Sequence, residues 1–326
     1  MAQSAADLGQ QGPAVIGIGG EGPEAGPSVV ARSPRQIFWA RFRQDKLALM
    51  GGVMVILMLV LAVTAGIFAG IIDHAYDHQF KGQNGEPLML NEFGTPLGPN
   101  SDFWFGADAL GRDLFVRVLY GARTSLKIAI LATGVELAIG VFLGMLAGFF
   151  RGWVDTVVSR LLDLVLSIPF LLLGISLSVA TGGGETMIIF LIAFFGWPYI
   201  ARIVRGQTLS IRESQFIEAA HSLGAPARWI MFREILPNLI APIIVYSTLI
   251  IPTNIVAEAA LSFLGVGVKE PTASWGKMLS DASTYVSYGA AWWYMTYPGL
   301  ALFITVLGFN LLGDGLRDAL DPKTKG

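Results

Sequence analysis

The chain has 326 residues, of which 53% are hydrophobic and 14% are charged, against about 25% charged residues in an ordinary soluble domain. The formal net charge of −2 gives no reason to expect nucleic acid as a partner, and the absence of cysteine excludes disulfides and thiolate metal sites. Because long uncharged runs separate the charged residues, the composition predicts a multi-pass membrane protein rather than a large soluble core.

The N-terminal residues 1–34 are predicted to form a disordered cytoplasmic tail. Residues 1–31 are rich in Gly, Pro, Ala, Ser and Gln and contain neither Lys nor Arg. They lack the basic start and the long apolar stretch of a signal peptide. A GxGxxG spacing occurs at Gly17, Gly19 and Gly22. A nucleotide site there would need a preceding strand and a following helix, and neither is predicted.

Six segments are long and apolar enough to cross a bilayer as helices, each needing roughly 20 residues. They are residues 47–72, 125–149, 162–181, 186–204, 238–262 and 297–315. The sequence therefore predicts an all-α membrane protein with six transmembrane helices. Its parts are a first helix with a cytoplasmic lead-in (35–72), an extracytoplasmic segment (73–124), a five-helix core (125–315) and a cytoplasmic C-terminal tail (316–326).

The distribution of basic residues predicts the orientation, because Lys and Arg accumulate on the cytoplasmic side of membrane proteins. With the N-terminus inside, 15 of the 22 Lys and Arg residues fall on the inner side and seven on the outer side. Both termini and the polar loop at about 205–237 are thus predicted to be cytoplasmic. The basic stretch from Arg112 to Lys127 is the exception, and we expect it to lie along the membrane surface as an amphipathic helix.

The polar loop between the fourth and fifth predicted spans contains EAAHSLG at 218–224 and, ten residues later, ILP at 235–237. Its apolar residues have helical spacing; they are Phe216, Ala219, Ala220 and Leu223. The small alanine pair would let this helix approach a partner surface closely, and Gly224 could end it in a left-handed conformation. The alternative is an ordinary solvated connecting helix.

Together with the ILP, this loop resembles the EAA loop of bacterial ABC importer permeases. Five further motifs resemble one branch of them: FGADALGRD (105–113), YGARTSL (120–126), LSFLGVG (261–267), PTASWGKML (271–279) and GDGLRDALDP (313–322). From about residue 35 to 326 the chain resembles the C-type permease subunit of the dipeptide/oligopeptide/nickel ABC importer family. It departs from that pattern at Ala107, where the family usually has Thr, and in a longer outer insertion at 73–101.

The resemblance implies a type I ABC importer permease fold and a non-catalytic subunit in the bacterial inner membrane. The implied partners are a second homologous permease subunit, two ATPase subunits of the same or different kinds, an extracytoplasmic solute-binding protein and membrane lipid. The residues implied to couple to the ATPase are Glu218, Ala219, Ala220, Gly224, Ile235 and Pro237. ATP and Mg would bind to the ATPase partners, and no cofactor to this chain, which has no GxxxxGK[ST] phosphate loop.

The implied function is import of di- or oligopeptides, with ATP hydrolysis by the partners coupled to alternating access. Within the same family, the solute could instead be a nickel complex, glutathione or an oligosaccharide. A different class, the ATP-independent secondary transporter, would leave the EAA loop unexplained, and we see no internal repeat of the spans that would favour it.

Three polar residues within the predicted spans are candidates for the substrate pathway. Glu136 lies near the middle of the second span, where an isolated charge costs about 2.5–3.5 kcal/mol. A hydrogen bond to a neighbouring helix is its favoured interpretation, and a pathway carboxylate that attracts a peptide N-terminus is the alternative. Asn254 and Glu258 lie four residues apart on one helix face near the outer end of span five, and they are the first candidates for solute contact.

A further pair, His74 and His78, lies four residues apart with an aspartate beside each. On a helix this spacing could hold a transition metal. A chance arrangement in a polar loop is the favoured interpretation, so no metal site is predicted.

Overall fold

The computed structural model describes residues 34–81, 90–91, 94–287 and 291–320, so most of the predicted N-terminal tail and the last six residues lie outside the described part. The helices in chain order are α1 (Pro34–Gln44), α2 (Lys46–Ile72), α3 (Leu114–Phe150), α4 (Gly152–Leu166), α5 (Phe170–Thr181), α6 (Glu185–Arg212), α7 (Gln215–Ser222), α8 (Ala227–Trp229), α9 (Leu236–Phe263), α10 (Trp275–Ser287) and α11 (Trp292–Leu320). A π-helical segment, Ile230–Ile235, joins α8 to α9. The only β-pairing in these residues is two isolated bridges. The predicted all-α architecture is confirmed.

Aspartate side chains fix the starts of two long helices. Asp45 accepts hydrogen bonds from the backbone N–H groups of Leu47 (2.9 Å) and Ala48 (3.0 Å) at the start of α2. Asp113 does the same at the start of α3, accepting from the backbone N–H of Phe115 at 2.8 Å. Helix α3 therefore begins at Leu114 rather than near residue 125. The predicted separate helix along the membrane surface is wrong, because this basic stretch is mostly the first part of α3.

Five helical runs have the length and composition to cross a membrane: α2, α3, α6, the continuous run Ala227–Phe263, and α11. The predicted third span is not one straight helix. It corresponds to the end of α4 together with α5, two helices bent by 74° relative to each other at a short break. Pro169 lies at this break; it has no backbone N–H, and it disfavours a helical conformation at Ile168. The described residues thus provide five spans, or six if the bent pair counts as one.

The most extensive helix contact among the described residues joins α3 to α6. Three glycines of α3, spaced four residues apart, face the backbone of α6, so the helices approach without intervening side chains. A Cβ atom added to Gly140, Gly144 or Gly148 would lie 2.9, 2.5 or 2.8 Å, respectively, from a carbonyl oxygen of α6. We call this contact the glycine seam.

The first helix of the bundle packs against the last. A Cβ atom added to Gly51 of α2 would lie 2.7 Å from the carbonyl oxygen of Gly308 in α11, and one added to Gly315 would lie 2.1 Å from the Cβ of Ala48. An apolar core cluster, which includes Val55 of α2, continues this contact towards α3 and α10. Helix α2 is thereby attached to the outside of the remaining bundle through α11.

Candidate coupling helix and transport cavity

The predicted coupling segment forms helix α7, which directly follows α6. Its last turn is closed by backbone hydrogen bonds from the N–H of Leu223 to the oxygen of Ala219 (3.0 Å) and from the N–H of Ala225 to the oxygen of Ala220 (3.1 Å). Gly224 has a φ of +76°, the left-handed conformation expected for a glycine after a helix end. The chain then turns back towards the bundle through α8 and the π-helical segment.

The buried side chain of Ile217 anchors α7 to the bundle. Ile217 is fully buried in a cluster that includes Phe149 of α3 and both Ile230 and Ile235 of the π-helical segment. Ile217 was not among the residues predicted from the sequence, because the EAA motif begins at its neighbour Glu218. Its position one residue before Glu218, as a large apolar side chain in a short helix, is the signal that could have identified it.

The opposite face of α7 is exposed and apolar. Phe216 has 46% of its surface exposed and Leu223 has 87%, and Ala219 lies between them on the same face. We call these three residues the apolar stripe. Ala220, which was predicted to share this face, is instead half-buried against the core cluster of Ile217.

The structure distributes the remaining predicted coupling residues over different environments. Glu218 and Gly224 are exposed beside the apolar stripe. Ile235 is fully buried at the end of the π-helical segment, in the same apolar cluster as Ile217 of α7. Pro237 is exposed in the first turn of α9, within the continuous run Ala227–Phe263, so its missing N–H removes one hydrogen bond to the preceding π-helical segment.

A cavity of about 560 Å³ lies among α3, α6, α9 and the break between α4 and α5. Its walls are mostly apolar, with Phe170 just after the break and Phe195 on α6. Its polar lining groups are Glu136 of α3, Tyr199 of α6, and Thr253 and Asn254 of α9. Its volume falls within the range of small-molecule sites, about 300–1,000 Å³.

The structure brings Glu136 and Asn254 together at this cavity. The Nδ2 of Asn254 donates to the Oε1 of Glu136 (3.1 Å) and to the Oγ1 of Thr133 (2.9 Å). The predicted hydrogen bond between Glu136 and a neighbouring helix is therefore confirmed. The second oxygen, Oε2, is buried and has no hydrogen-bond partner among the described residues.

Gly196 of α6 makes the space that the Glu136 carboxyl group occupies. A Cβ atom added to Gly196 would lie 2.1 Å from both the carboxyl carbon and the Oε1 of Glu136. Even alanine would therefore displace the carboxyl group or separate α3 from α6. No local sequence pattern pairs Gly196 with Glu136, which lies 60 positions earlier.

Glu258, the third predicted pathway residue, does not line this cavity. It is fully buried, and its two oxygens accept hydrogen bonds from the hydroxyls of Ser125 and Ser262, each at 2.7 Å. Ser125 also accepts a hydrogen bond from the backbone N–H of Trp275 at 3.4 Å. Glu258 thus ties α9 to α3 and, through Ser125, to the start of α10.

An ion-pair network, buried except at Glu270, lies at the end of the bundle opposite α7. Asp108 binds both Arg112 (Nε to Oδ2, 2.6 Å) and Arg117 (Nε to Oδ2, 3.2 Å), and Arg112 also contacts Glu270 (Nη1 to Oε2, 2.5 Å). Burial alone would raise the pKa of Glu270. The hydrogen bond from Arg112 and the charges of Arg117, Arg112 and Lys277 outweigh that effect, so the pKa of Glu270 is lowered.

His74 belongs to the same end of the bundle, where its Nδ1 lies 2.6 Å from Oδ2 of Asp113. Its ring packs against Phe80 and Phe103 at centroid distances of 4.6 and 4.8 Å. Throughout the part of the chain that the structure describes, no three His, Cys, Asp or Glu side chains are grouped as a metal site would require.

Comparison with known proteins identifies the class to which this fold and these features belong. Residues 140–326 match the family described as the binding-protein-dependent transport system inner membrane component. Residues 33–89 match the N-terminal transmembrane domain of oligopeptide transport permease C. The chain belongs to the family of binding-protein-dependent transport system inner membrane components, and it is a permease subunit of an ABC importer in the inner membrane. The predicted family is confirmed.

Individual relatives align over most of the chain. The chain is 40% identical over 294 residues to the glutathione transport system permease protein GsiD of Pectobacterium atrosepticum, covering 90% of this chain and 93% of that protein. It is 44% identical over 228 residues to the dipeptide transport system permease protein DppC of Alkalihalophilus pseudofirmus, covering 70% and 74%. A solved structure of the MetNI methionine ABC transporter, inward facing, shares the fold with a TM-score of 0.53 and 22% identity, over 63% of this chain and 97% of that one.

Proposed function

We propose that this chain is one half of a heterodimeric permease that imports di- or oligopeptides, driven by ATP hydrolysed on two partner subunits. Its relatives support a peptide solute: one is a dipeptide permease and the other transports glutathione, which is itself a short peptide. In this proposal both termini and α7 are cytoplasmic, ATP and Mg bind to the partners, and an extracytoplasmic binding protein delivers the solute. The chain itself catalyses no reaction.

The observation that carries the coupling part of this proposal is the apolar stripe of α7. Leu223 is 87% exposed at the end of α7, a helix that Ile217 holds to the bundle. Such an exposed apolar side chain is suited to insertion into a groove on another protein. Glu218 and Gly224 flank the stripe and would contact the same partner. We propose that the ATPase subunit supplies this groove.

The connections of α7 support transmission of its movement to the cavity. Helix α6 runs directly into α7 and is attached to α3 by the glycine seam. Ile217 packs against the π-helical segment, which continues into α9. A displacement of α7 would therefore reach α3, α6 and α9, the helices that surround the cavity.

We place the solute pathway along this cavity, with Glu136 and Asn254 among its polar groups and the second permease subunit opposite. Glu258 was also a candidate for solute contact. Its occupied oxygens support a different role, holding α9 against α3. A nickel complex or an oligosaccharide is the alternative solute. The mostly apolar lining favours a peptide, because a sugar needs many polar partners.

The test is ATP hydrolysis by the assembled complex in lipid nanodiscs, with binding protein loaded from a mixed peptide pool. Stimulation by loaded but not by empty binding protein is the expected result. A complex that assembles and hydrolyses ATP but ignores the peptide-loaded protein would exclude the peptide solute. Uptake that continues without ATP would contradict the coupling proposal and favour a secondary transporter.

A further inference from the structure

We propose that Glu136 is the counter-ion for the protonated amino group of the solute in transit, so that the cavity selects solutes with a free primary amine. The inference rests on the proposed peptide import for the identity of the solute. It adds the atom that recognises the solute and the chemical group that is recognised.

The first observation is that Glu136 has one oxygen without a partner. Buried polar atoms in folded proteins are nearly always hydrogen-bonded. Glu258, a second fully buried carboxyl group in the same bundle, follows this rule, with a serine hydroxyl on each oxygen. Glu136 has Asn254 on Oε1 and no partner on Oε2 among the described residues, although Glu136 is one of the residues that line the cavity. The difference between the two carboxyl groups indicates that the partner of Oε2 enters with the solute.

The second observation is that the carboxyl group is held in place. Asn254 fixes Oε1 and is itself held by Thr133 on the helix that carries Glu136. Gly196 allows the backbone of α6 to approach the other side of the carboxyl group, as the 2.1 Å distance to an added Cβ shows. A group whose orientation is fixed before the ligand arrives does not have to be ordered during binding.

The third observation concerns the chemistry of the walls. The lining residues include no Lys, Arg or His, so within the described part of the chain no positive side chain competes for Glu136 in the cavity. A primary ammonium group supplies both the hydrogen-bond donor and the charge that Oε2 lacks. The rings of Phe170, Phe195 and Tyr199 line the same cavity and provide apolar surface for varied side chains, and their faces attract a cation. An amino terminus is common to all unmodified peptides, whereas their side chains differ.

The first test measures the chemical accessibility of the carboxyl group. The whole importer complex in nanodiscs is treated with a lipid-soluble carbodiimide, and modification of Glu136 and Glu258 is quantified by mass spectrometry. Both residues are fully buried, but only Glu136 lines the cavity, so we expect a reagent that enters the cavity to modify Glu136 and to leave Glu258, the internal control, unmodified. A dipeptide added directly should reduce the modification of Glu136, and the same dipeptide with an N-acetyl group should not. Absence of modification, or equal protection by both peptides, would overturn the inference.

The second test measures uptake of the free-amine dipeptide into proteoliposomes. Glu136→Gln keeps the size and the acceptor for Asn254 but removes the charge, so uptake should fall roughly 10- to 100-fold, as expected for the loss of a charged hydrogen bond. Gly196→Ala, which keeps the carboxyl group chemically intact but displaces it, should also reduce uptake. Gly134→Ala is the matched control, because an added Cβ there has no neighbour within 4 Å.

The two proposals fail in different ways. If the unaltered complex ignores peptide-loaded binding protein, the peptide solute is wrong. If it responds but Glu136→Gln transports the free-amine peptide as well as the control does, peptide import stands and the role of Glu136 is wrong. Assembly of each variant is checked by its retention of the permease partner and the ATPase subunits.

Discussion

Replacing Gly144 with alanine should separate α3 from α6 and destabilise the protein. The added Cβ would lie 2.5 Å from the carbonyl oxygen of Ala201, whereas ordinary contact begins at 3.4 Å, so the helices must move apart by up to 0.9 Å. The Cβ of Val204 at 2.9 Å blocks a sideways escape. Overpacking of this kind costs typically about 1–3 kcal/mol of unfolding free energy.

The control is Gly134→Ala on the same helix, where the added atom meets nothing within 4 Å. Alanine favours a helix over glycine by about 1 kcal/mol at either position, so the difference between the two variants isolates the packing effect. The measurement is unfolding in mixed micelles during a titration with sodium dodecyl sulfate, followed by tryptophan fluorescence. Equal midpoints for Gly144→Ala and Gly134→Ala would refute the tight glycine seam.

Three further predictions concern α7 and the ion-pair network. Gly224→Val should uncouple ATP hydrolysis from uptake, because a left-handed conformation costs roughly 1–2 kcal/mol for a residue with a side chain. Gly224→Asn should be tolerated better, since asparagine adopts this conformation more readily. Equal uptake by the two variants would contradict the need for a left-handed residue at this position. Leu223→Asp should weaken binding of the ATPase subunit by about 2 kcal/mol or more, the effect of changing a binding hot spot. The measurement is co-purification of the ATPase subunit, and an unchanged yield would exclude Leu223 from the interface. The pKa of Glu270 is lowered on folding, so its contact with Arg112 stabilises the protein above the unfolded pKa of 4.5 and is lost as the pH falls through the lower folded pKa. The melting temperature of Glu270→Gln should therefore depend less on pH in the acid range than that of the unaltered chain. Parallel plots of melting temperature against pH for the two proteins would argue against the contact.

Local sequence signals were sufficient for much of the fold. Long apolar runs predict helices because every backbone polar group in a bilayer must be satisfied within the protein. The left-handed conformation at Gly224 follows from glycine after a short amphipathic helix. The family motifs supplied the class of protein, which hydropathy alone does not define.

The errors arose where a distant residue decides the outcome. Arg112 pairs with Asp108, four residues away, but also with Glu270, 158 positions away in the sequence, and no local pattern shows that second partner. In the same way, nothing near Glu136 indicates that Gly196 leaves room for its carboxyl group. Pro169 was visible in the sequence, but proline is tolerated within membrane helices, so its presence did not by itself predict a bend of 74°.

The glycine seam has a consequence for how the cavity can change shape. Helices whose backbones touch along three successive turns cannot slide or rotate past each other without steric overlap, so α3 and α6 have almost no relative freedom and must move as one rigid wall. The cavity can then change width most readily at its other two walls. One is the break between α4 and α5, and the other is α9, in which Pro242 and Pro252 each remove a helical hydrogen bond. The deformable part of the permease is therefore confined to one side of the solute path.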